Sequence, residues 1–271
     1  MKRILVPTDF SEHANNALRY AINIGNYFEA EIELLHIYEM KAIIGSTILI
    51  REYLKEAADR DLADNIRSFK DLIFGKTILH GRALDGNPID AICSIANNED
   101  FDMIVMGTQG ASGLKEIFLG SKTSGVMQQT RRPILAIPNS FTYRPIKDVT
   151  FAVDSGIVAD DEVLHPLLEL AKGYKSNIKI LHLDKEKMVV GYDPGIGISL
   201  GSIPHSFHRI SGANDVNGMI NLFVFEENSD LLCMIRRERD FWSNLFHRSV
   251  TTKEVFDSPV PLLILRDVAL K

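Results

Sequence analysis

Met103-Ile-Val-Met-Gly-Thr-Gln-Gly-Ala-Ser-Gly-Leu-Lys-Glu-Ile-Phe-Leu-Gly-Ser121 is an apolar strand that runs into a glycine-punctuated loop and then into a segment of helical character. Strand, loop and helix in that order are the building unit of an α/β sheet. Gly107 and Gly110 are separated by two residues, and after nine more comes the pair Gly120-Ser121 at the helix start. The layout puts bare backbone N–H groups and a hydroxyl at a helix N-terminus, where unpaired amides and the helix dipole favour an anion such as phosphate. Glycine serves there because a Cβ would block close approach of the backbone or forbid φ > 0. A plain strand-to-helix turn rarely needs three glycines and a serine at this spacing. The string Gly-x-x-x-x-Gly-Lys-Ser/Thr does not occur, so the loop is not a P-loop.

Outward from this stretch, the chain repeats itself. Ile4-Leu-Val-Pro-Thr-Asp9 has a partner in Thr150-Phe-Ala-Val-Asp154, and Glu31-Ile-Glu-Leu-Leu-His-Ile37 in Asn177-Ile-Lys-Ile-Leu-His-Leu183. Phe101-Asp-Met-Ile-Val-Met106 is matched by Ser229-Asp-Leu-Leu-Cys-Met234, and Pro133-Ile-Leu-Ala-Ile137 by Pro261-Leu-Leu-Ile-Leu265. Two copies of one domain follow, 1–142 and 143–271, joined by the turn-rich segment Asn139 to Pro145. Short apolar strands alternate with helical patterns in each copy, which implies a parallel sheet covered on both faces. In the first copy the pattern predicts strands near 3–7, 31–37, 76–81, 102–106 and 133–137, and helices near 11–27, 48–73, 87–98 and 121–130. Ser11 suits an N-cap, and Asn87-Pro88 an N-cap followed by proline at the first helical position. In the second copy, Gly191, Pro194, Gly195, Gly197, Gly201 and Pro204 predict a loop where the first copy has its second helix.

A chain of 271 residues suffices for two cores. The net charge of −6 without a basic block argues against a nucleic-acid or anionic-membrane surface. No apolar run nears the ~18 residues of a membrane span. Ile4-Leu-Val6 meets Pro7 at once, which is no signal peptide. Cys93 and Cys233, one per copy, offer no disulfide framework. These features predict a soluble, cytoplasmic protein.

In a doubly wound sheet, ligands sit beyond the carboxyl ends of the strands. Asp9 ends the first strand and Gly107 follows the fourth, so both loops face one crevice if the strands are neighbours. The aspartate can accept from an exocyclic amine or a ribose hydroxyl, or else cap the following helix. Val6-Pro7-Thr8-Asp9-Phe10-Ser11 together with Gly-x2-Gly-x9-Gly-Ser resembles the universal stress protein family, in its ATP-binding branch. The resemblance covers the first half of the chain and, more weakly, the second. It implies two tandem five-stranded parallel α/β sheets, Rossmann-like and of the adenine nucleotide alpha hydrolase kind. It further implies that Asp9 and the backbone at Ile37 contact adenosine, with Pro7 and Thr8 at the same strand end. Gly107, Gly110, Gly120, Ser121 and the amide of Lys122 would hold ribose and phosphates, Met106 would flank the pocket, and magnesium or manganese would ride on the phosphates. Members of that family pair their last strands antiparallel about a two-fold axis, which predicts an intramolecular pseudo-dimer through Ile134–Ile137 and Leu262–Leu265, and any homodimer through other surfaces.

The second copy departs at the loop, with Ile235, Glu238 and Arg248 where Gly107, Gly110 and Gly120 stand, and only Ser249 matching Ser121. Side chains and a negative charge in place of glycine predict a copy without nucleotide. A His-x-x-His pair such as His205 and His208 could bind a metal on a helix, but here it precedes Arg209 and Ile210 in what reads as a strand, so no metal site is expected. His36 and His182 read as satisfied core histidines. Arg236, Arg237 and Arg239 before Phe241-Trp242 could bind an anion or a partner, but read more readily as a solvated loop with two core anchors. No Ser-His-Asp or Cys-His spacing and no carboxylate pair stands out. The reading is therefore a nucleotide-responsive stress or regulatory protein rather than an enzyme. Its alternatives are a slow ATPase or nucleotide transferase, or a scaffold whose second half binds an unrelated ligand.

Overall fold

Among the described residues ten strands form where the sequence alternates apolar runs with helical segments. The computed structural model describes residues 1–39, 48–108, 121–153, 161–184, 200–211, 215–236 and 258–267. Two units divide the chain, Met1–Arg132 and Pro133–Lys271. The first contains β1 (Arg3–Thr8), α1 (Glu12–Phe28), β2 (Glu31–Tyr38), α2 (Ile48–Phe69), β3 (Ile78–Asp85), α3 (Pro88–Asn98), β4 (Met103–Gly107) and α4 (Ser121–Gln129). Its strand order is β3-β2-β1-β4, with parallel pairing. The second contains β5 (Ile134–Ile137), β6 (Asp148–Val153), α5 (His165–Tyr174), β7 (Asn177–Asp184), β8 (His205–Ser211), α6 (Val216–Glu226), β9 (Leu231–Arg236) and β10 (Leu262–Arg266). There the order is β5-β10-β9-β6-β7-β8. The last strand of the first sequence copy, β5, runs antiparallel to the last strand of the second, with Leu135 opposite Leu263. That pairing is why the unit boundary falls before β5, although the sequence repeat ends after it.

The helices begin where their caps say. Ser11 Oγ accepts the amide of Ala14, and Asn87 Oδ1 accepts those of Ile89 and Asp90 ahead of α3. α1 buries Ala14, Ala17, Leu18, Ala21, Ile22 and Ile24. Ile32 and Gly81 share one face of the first sheet, since Leu34 pairs with Gly81. A Cβ on Gly25 would come 2.7 Å from Ile32 Cδ1, and one on Gly81 2.7 Å from Ile66 and Leu62, so α1 and α2 press on that face. Glu33 and Arg82 occupy the opposite face, and Arg82, paired with Glu33, also reaches Glu99 at the end of α3, which places α3 there. The sheet is doubly wound, as its alternating pattern predicts.

Two boundaries differ by several residues: the helix expected over 48–73 ends at Phe69 and gives way to a 3-10 turn, Lys70–Leu72, and the third strand is displaced. β3 covers Ile78–Asp85 rather than 76–81. Gly81 and Arg82 weaken the strand signal locally, yet tertiary contacts suit both: the glycine admits α2, and the arginine reaches two carboxylates. The predicted loss of the second helix in the second copy falls on 185–199, outside the described residues.

The two copies share an anchoring device at the amino ends of their strands. Asp102 takes the backbone amides of Lys2 and Arg3, the latter at 2.9 Å. Asp230, its counterpart, takes those of Lys147 and Asp148 at 2.7 and 2.9 Å. Beside this clamp the charges are exchanged. In the first copy Arg3 on β1 faces Glu33 on β2 at 3.8 Å. In the second, Asp148 on β6 faces Lys179 on β7 at 3.1 Å. The cation of each pair donates to the same repeat position, the carbonyl of Glu99 for Arg3 and of Glu227 for Lys179. A helix C-terminus is favoured by a nearby cation, and the copies supply it from different strands.

Candidate functional site

β1 lies between β2 and β4, and the chain runs from β1 to β2 and β3 before returning to the far side of β1 for β4. The carboxyl ends of β1 and β4 are thus the point where connections diverge, the usual crevice of an open α/β sheet. Asp9 and Gly107 stand there together, as the sequence requires.

Two features of β1 open this crevice. Alternate residues of a strand turn their N–H and C=O groups to opposite neighbours. Glu31 donates its amide to Lys2, whereas the carbonyls of Ala30 and Tyr38 accept from Ile78 and Gly86. The odd residues of β2, Ile37 included, therefore face β1, and Ile37 is the next rung above the Thr8–His36 register pair. The donor for its carbonyl would be the amide of residue 10. That amide goes instead to Thr8 Oγ1 at 3.0 Å, so the Ile37 carbonyl looks past the end of β1. On the other side, Asp102 donates to the carbonyl of Arg3, which sets the odd residues of β1 toward β4. Pro7 is one of these and has no N–H to give, so a rung is missing there.

Asp9 is half-buried, and its Oδ1 accepts the amide of Ser11 at 3.2 Å. The helix cap is Ser11 rather than Asp9, so the carboxylate belongs to the turn ahead of the helix. Phe10 has φ +61°, unusual for an aromatic residue. Its ring packs on the imidazole of His36, with centroids 4.4 Å apart. His36 Nδ1 lies 3.0 Å from the carbonyl of Thr8. A carbonyl only accepts, so Nδ1 carries the proton. His36 is half-buried at this rim rather than in the deep core expected for it.

Met106 is buried at the end of β4, and Gly107 follows it half-buried. Thr123 donates its hydroxyl to the Gly107 carbonyl at 2.8 Å, tying the first turns of α4 to the strand end. Ser121 and Lys122 open α4, and Lys122 is exposed. Gly110 and Gly120 lie outside the described residues. Beyond Ile37, burial first and then the charges of Asp85 and Asp59 raise the pKa of Tyr38, so its phenol stays a neutral donor. Pro7, Thr8, Asp9, Ile37, Met106 and Gly107 therefore lie at the carboxyl ends of three neighbouring strands, β2, β1 and β4. Phe10, which the Val6–Ser11 motif contains, joins them, and so do His36, Tyr38 and Thr123, which carry no sequence signature of their own.

In the second unit, Ile235 fills the Gly107 position as a buried residue of β9. Asp154, Arg237, Glu238, Arg239, Phe241, Trp242, Arg248 and Ser249 lie outside the described residues. His205 and His208 stand on strand β8, where an odd and an even residue face opposite ways. His205 Nδ1 bonds the Ile203 carbonyl, and His208 Nε2 meets Ser206 Oγ at 2.8 Å. Among the described residues no helix is long and apolar enough to cross a membrane.

Residues 1–138 match the family model of the universal stress protein family. A universal stress protein of Methanocaldococcus jannaschii, MJ0531, is 33% identical over 141 residues, which is 50% of this chain and 81% of that one. A universal stress protein of Thermus aquaticus is 30% identical over 136 residues, 50% of this chain and 98% of its own. The solved structure of a universal stress protein from Archaeoglobus fulgidus matches 98% of both chains with a TM-score of 0.73 at 22% identity, a likeness of fold.

Proposed function

This chain belongs to the universal stress protein family, and we propose that its first half binds ATP in the crevice above β1 and β4. The observation that carries this reading is that three recognition groups stand at the carboxyl ends of three neighbouring strands. The Ile37 carbonyl is left without its ladder donor and suits an exocyclic amine. The Asp9 carboxylate suits ribose hydroxyls. Gly107 begins the loop whose glycines and Ser121 suit phosphate oxygens. Magnesium or manganese is then carried by the phosphates. Pro7 and Thr8 shape the strand end, and Met106 walls the pocket from β4. The second half, with Ile235, Glu238 and Arg248 at the glycine positions, is read as nucleotide-free.

On this reading the protein is a nucleotide-responsive regulatory module of the cytoplasm, not a turnover enzyme. Amides and a metal position phosphates, but phosphoryl transfer also needs a group that orients the attacking oxygen, and no side chain of the described crevice is placed for that work. The antiparallel β5–β10 pair supports reading the two copies as an intramolecular pseudo-dimer, leaving other surfaces for any homodimer.

Calorimetric titration of the full chain with ATP and magnesium tests the proposal. One site per chain is expected. Gly120→Arg, which imports the second copy's residue, should remove binding while the far-UV spectrum stays unchanged. Two equivalent sites, or unimpaired binding by this variant, would overturn it.

A further inference from the structure

The turn after β1 contains a closed circuit that a simple strand-to-helix connection does not need. The Phe10 amide donates to the Thr8 hydroxyl at 3.0 Å, the Phe10 ring packs on His36 at 4.4 Å, and His36 Nδ1–H returns to the Thr8 carbonyl at 3.0 Å. The circuit holds Phe10 at φ +61°, which a bulky residue adopts only when its surroundings hold it there. Its effect is local: it takes the one amide that would otherwise cap the Ile37 carbonyl.

We propose that Thr8, Phe10 and His36 are positioning residues that keep the Ile37 carbonyl open and thereby make the site select a 6-amino purine over a 6-oxo purine. This inference rests on the reading of the crevice as an adenine-nucleotide site. An exocyclic N6–H donates to an open carbonyl, whereas O6 of a 6-oxo purine sets acceptor against acceptor. A site built around a hydrogen bond rejects strongly the analogue that leaves its polar group unpaired.

The second copy supplies an internal contrast. It keeps His182 and Asp154 but has Val153 where Thr8 stands and Ser155 where Phe10 stands. The hydroxyl and the ring are missing in the same copy that lacks the glycines. The Asp230 clamp, which serves the frame, remains. Thr8 and Phe10 thus follow the ligand loop and not the frame.

The test measures ATP and inosine triphosphate, each with magnesium, binding to the full chain and to Thr8→Val, Thr8→Ser and Phe10→Gly. The wild type should favour ATP by at least about 10-fold, the low end of what one unpaired polar group produces. In Thr8→Val the ratio should fall to about 3-fold or less, through weaker ATP binding, as the freed amide turns to Ile37. Thr8→Ser should restore the ratio, because it keeps the hydroxyl. Phe10→Gly is at ease at positive φ and loses only the ring, so its ratio should lie between. A wild type that binds ATP without preference overturns this inference and leaves the ATP reading standing. So does a Thr8→Val variant that weakens both nucleotides equally, the mark of general loosening. A wild type that binds neither nucleotide overturns the ATP reading itself. Should Thr8→Val fail to fold, the ratio in Phe10→Gly decides.

Discussion

Replacing Glu33 by glutamine removes one charge from the middle of β2 and barely changes the side chain's shape. Glu33 is 2% exposed. Its Oε2 lies 2.8 Å from Arg82 Nη2, 3.2 Å from His80 Nε2 and 3.8 Å from Arg3 Nη2. Its Oε1 lies 2.6 Å from Arg82 Nε, an ion pair without an aligned hydrogen bond. Removing one member of a fully buried pair costs about 3–5 kcal/mol. Here the loss is smaller, because Arg82 is 33% exposed and keeps Glu99 at 2.7 and 2.8 Å. About 2 kcal/mol is the reasonable magnitude, which in a unit of this size corresponds to a melting shift of about 7 °C. Glu33→Lys should cost more, since it places the second copy's cation among Arg3, Arg82 and His80. The assay is native-state hydrogen exchange on the full chain, with β2 and β3 peptides reporting the first unit and β7 peptides serving as reference. A change below about 0.5 kcal/mol in β2 and β3 for Glu33→Gln, within the ordinary range of surface substitutions, would refute this account of the cluster. Equal loss in β7 would also refute it.

Lys179→Met should cost the second unit about 1 kcal/mol, because the stem still packs while Asp148 and Glu227, each about one-third exposed, regain water; urea denaturation measures it. Burial of Lys179 opposes its charge, but its bonds to Asp148 and Glu227 outweigh this and raise its pKa. Its contribution should therefore be complete below the unfolded lysine pKa and fade as pH rises through the higher folded value, so wild type should lose stability in alkali relative to Lys179→Met. The Arg82 hydrogen bond lowers the pKa of Glu99, so that carboxylate's contribution should persist above the unfolded carboxylate range and be lost as pH falls through the depressed folded value, visible as an acid melting profile that Glu99→Gln flattens. Steady-state ATP turnover should stay below about 1 per second, the lower end of ordinary enzymes; a faster rate in a phosphate-release assay would favour the enzyme reading.

Most of the frame is legible in the sequence because its signals are local. Ser11 and Asn87-Pro88 announce helix starts, and four-residue apolar runs announce strands. β3 is harder to place, since Gly81 and Arg82 are explained by a helix and two carboxylates distant in sequence. The crevice divides in the same way. Asp9 and Gly107 are legible as motif residues at strand ends. His36 is not, because one imidazole on an apolar strand carries no local mark of its place at the rim, and only the turn of Phe10 brings a ring against it. Thr123 is equally silent until α4 folds back to place its hydroxyl on Gly107.

The repeat separates what holds this fold from what the first crevice is fitted to do. At the amino ends of the strands, Asp102 and Asp230 perform one task, and even a reversal of charge between the copies preserves a cation on the same helix-end carbonyl. Physical demand there is on the bond and not on the residue type, so Arg3–Glu33 and Asp148–Lys179 are equivalent solutions. At the carboxyl ends the described residues show no such compensation. Val153 cannot take an amide as Thr8 does, and Ile235 cannot yield the space that Gly107 leaves open. A fold needs any partner that closes a polar group, whereas a ligand needs particular groups left open. Among the described residues the first copy leaves the Ile37 carbonyl without the Phe10 amide that its ladder would supply, and the proposed ATP site rests on that difference between the copies.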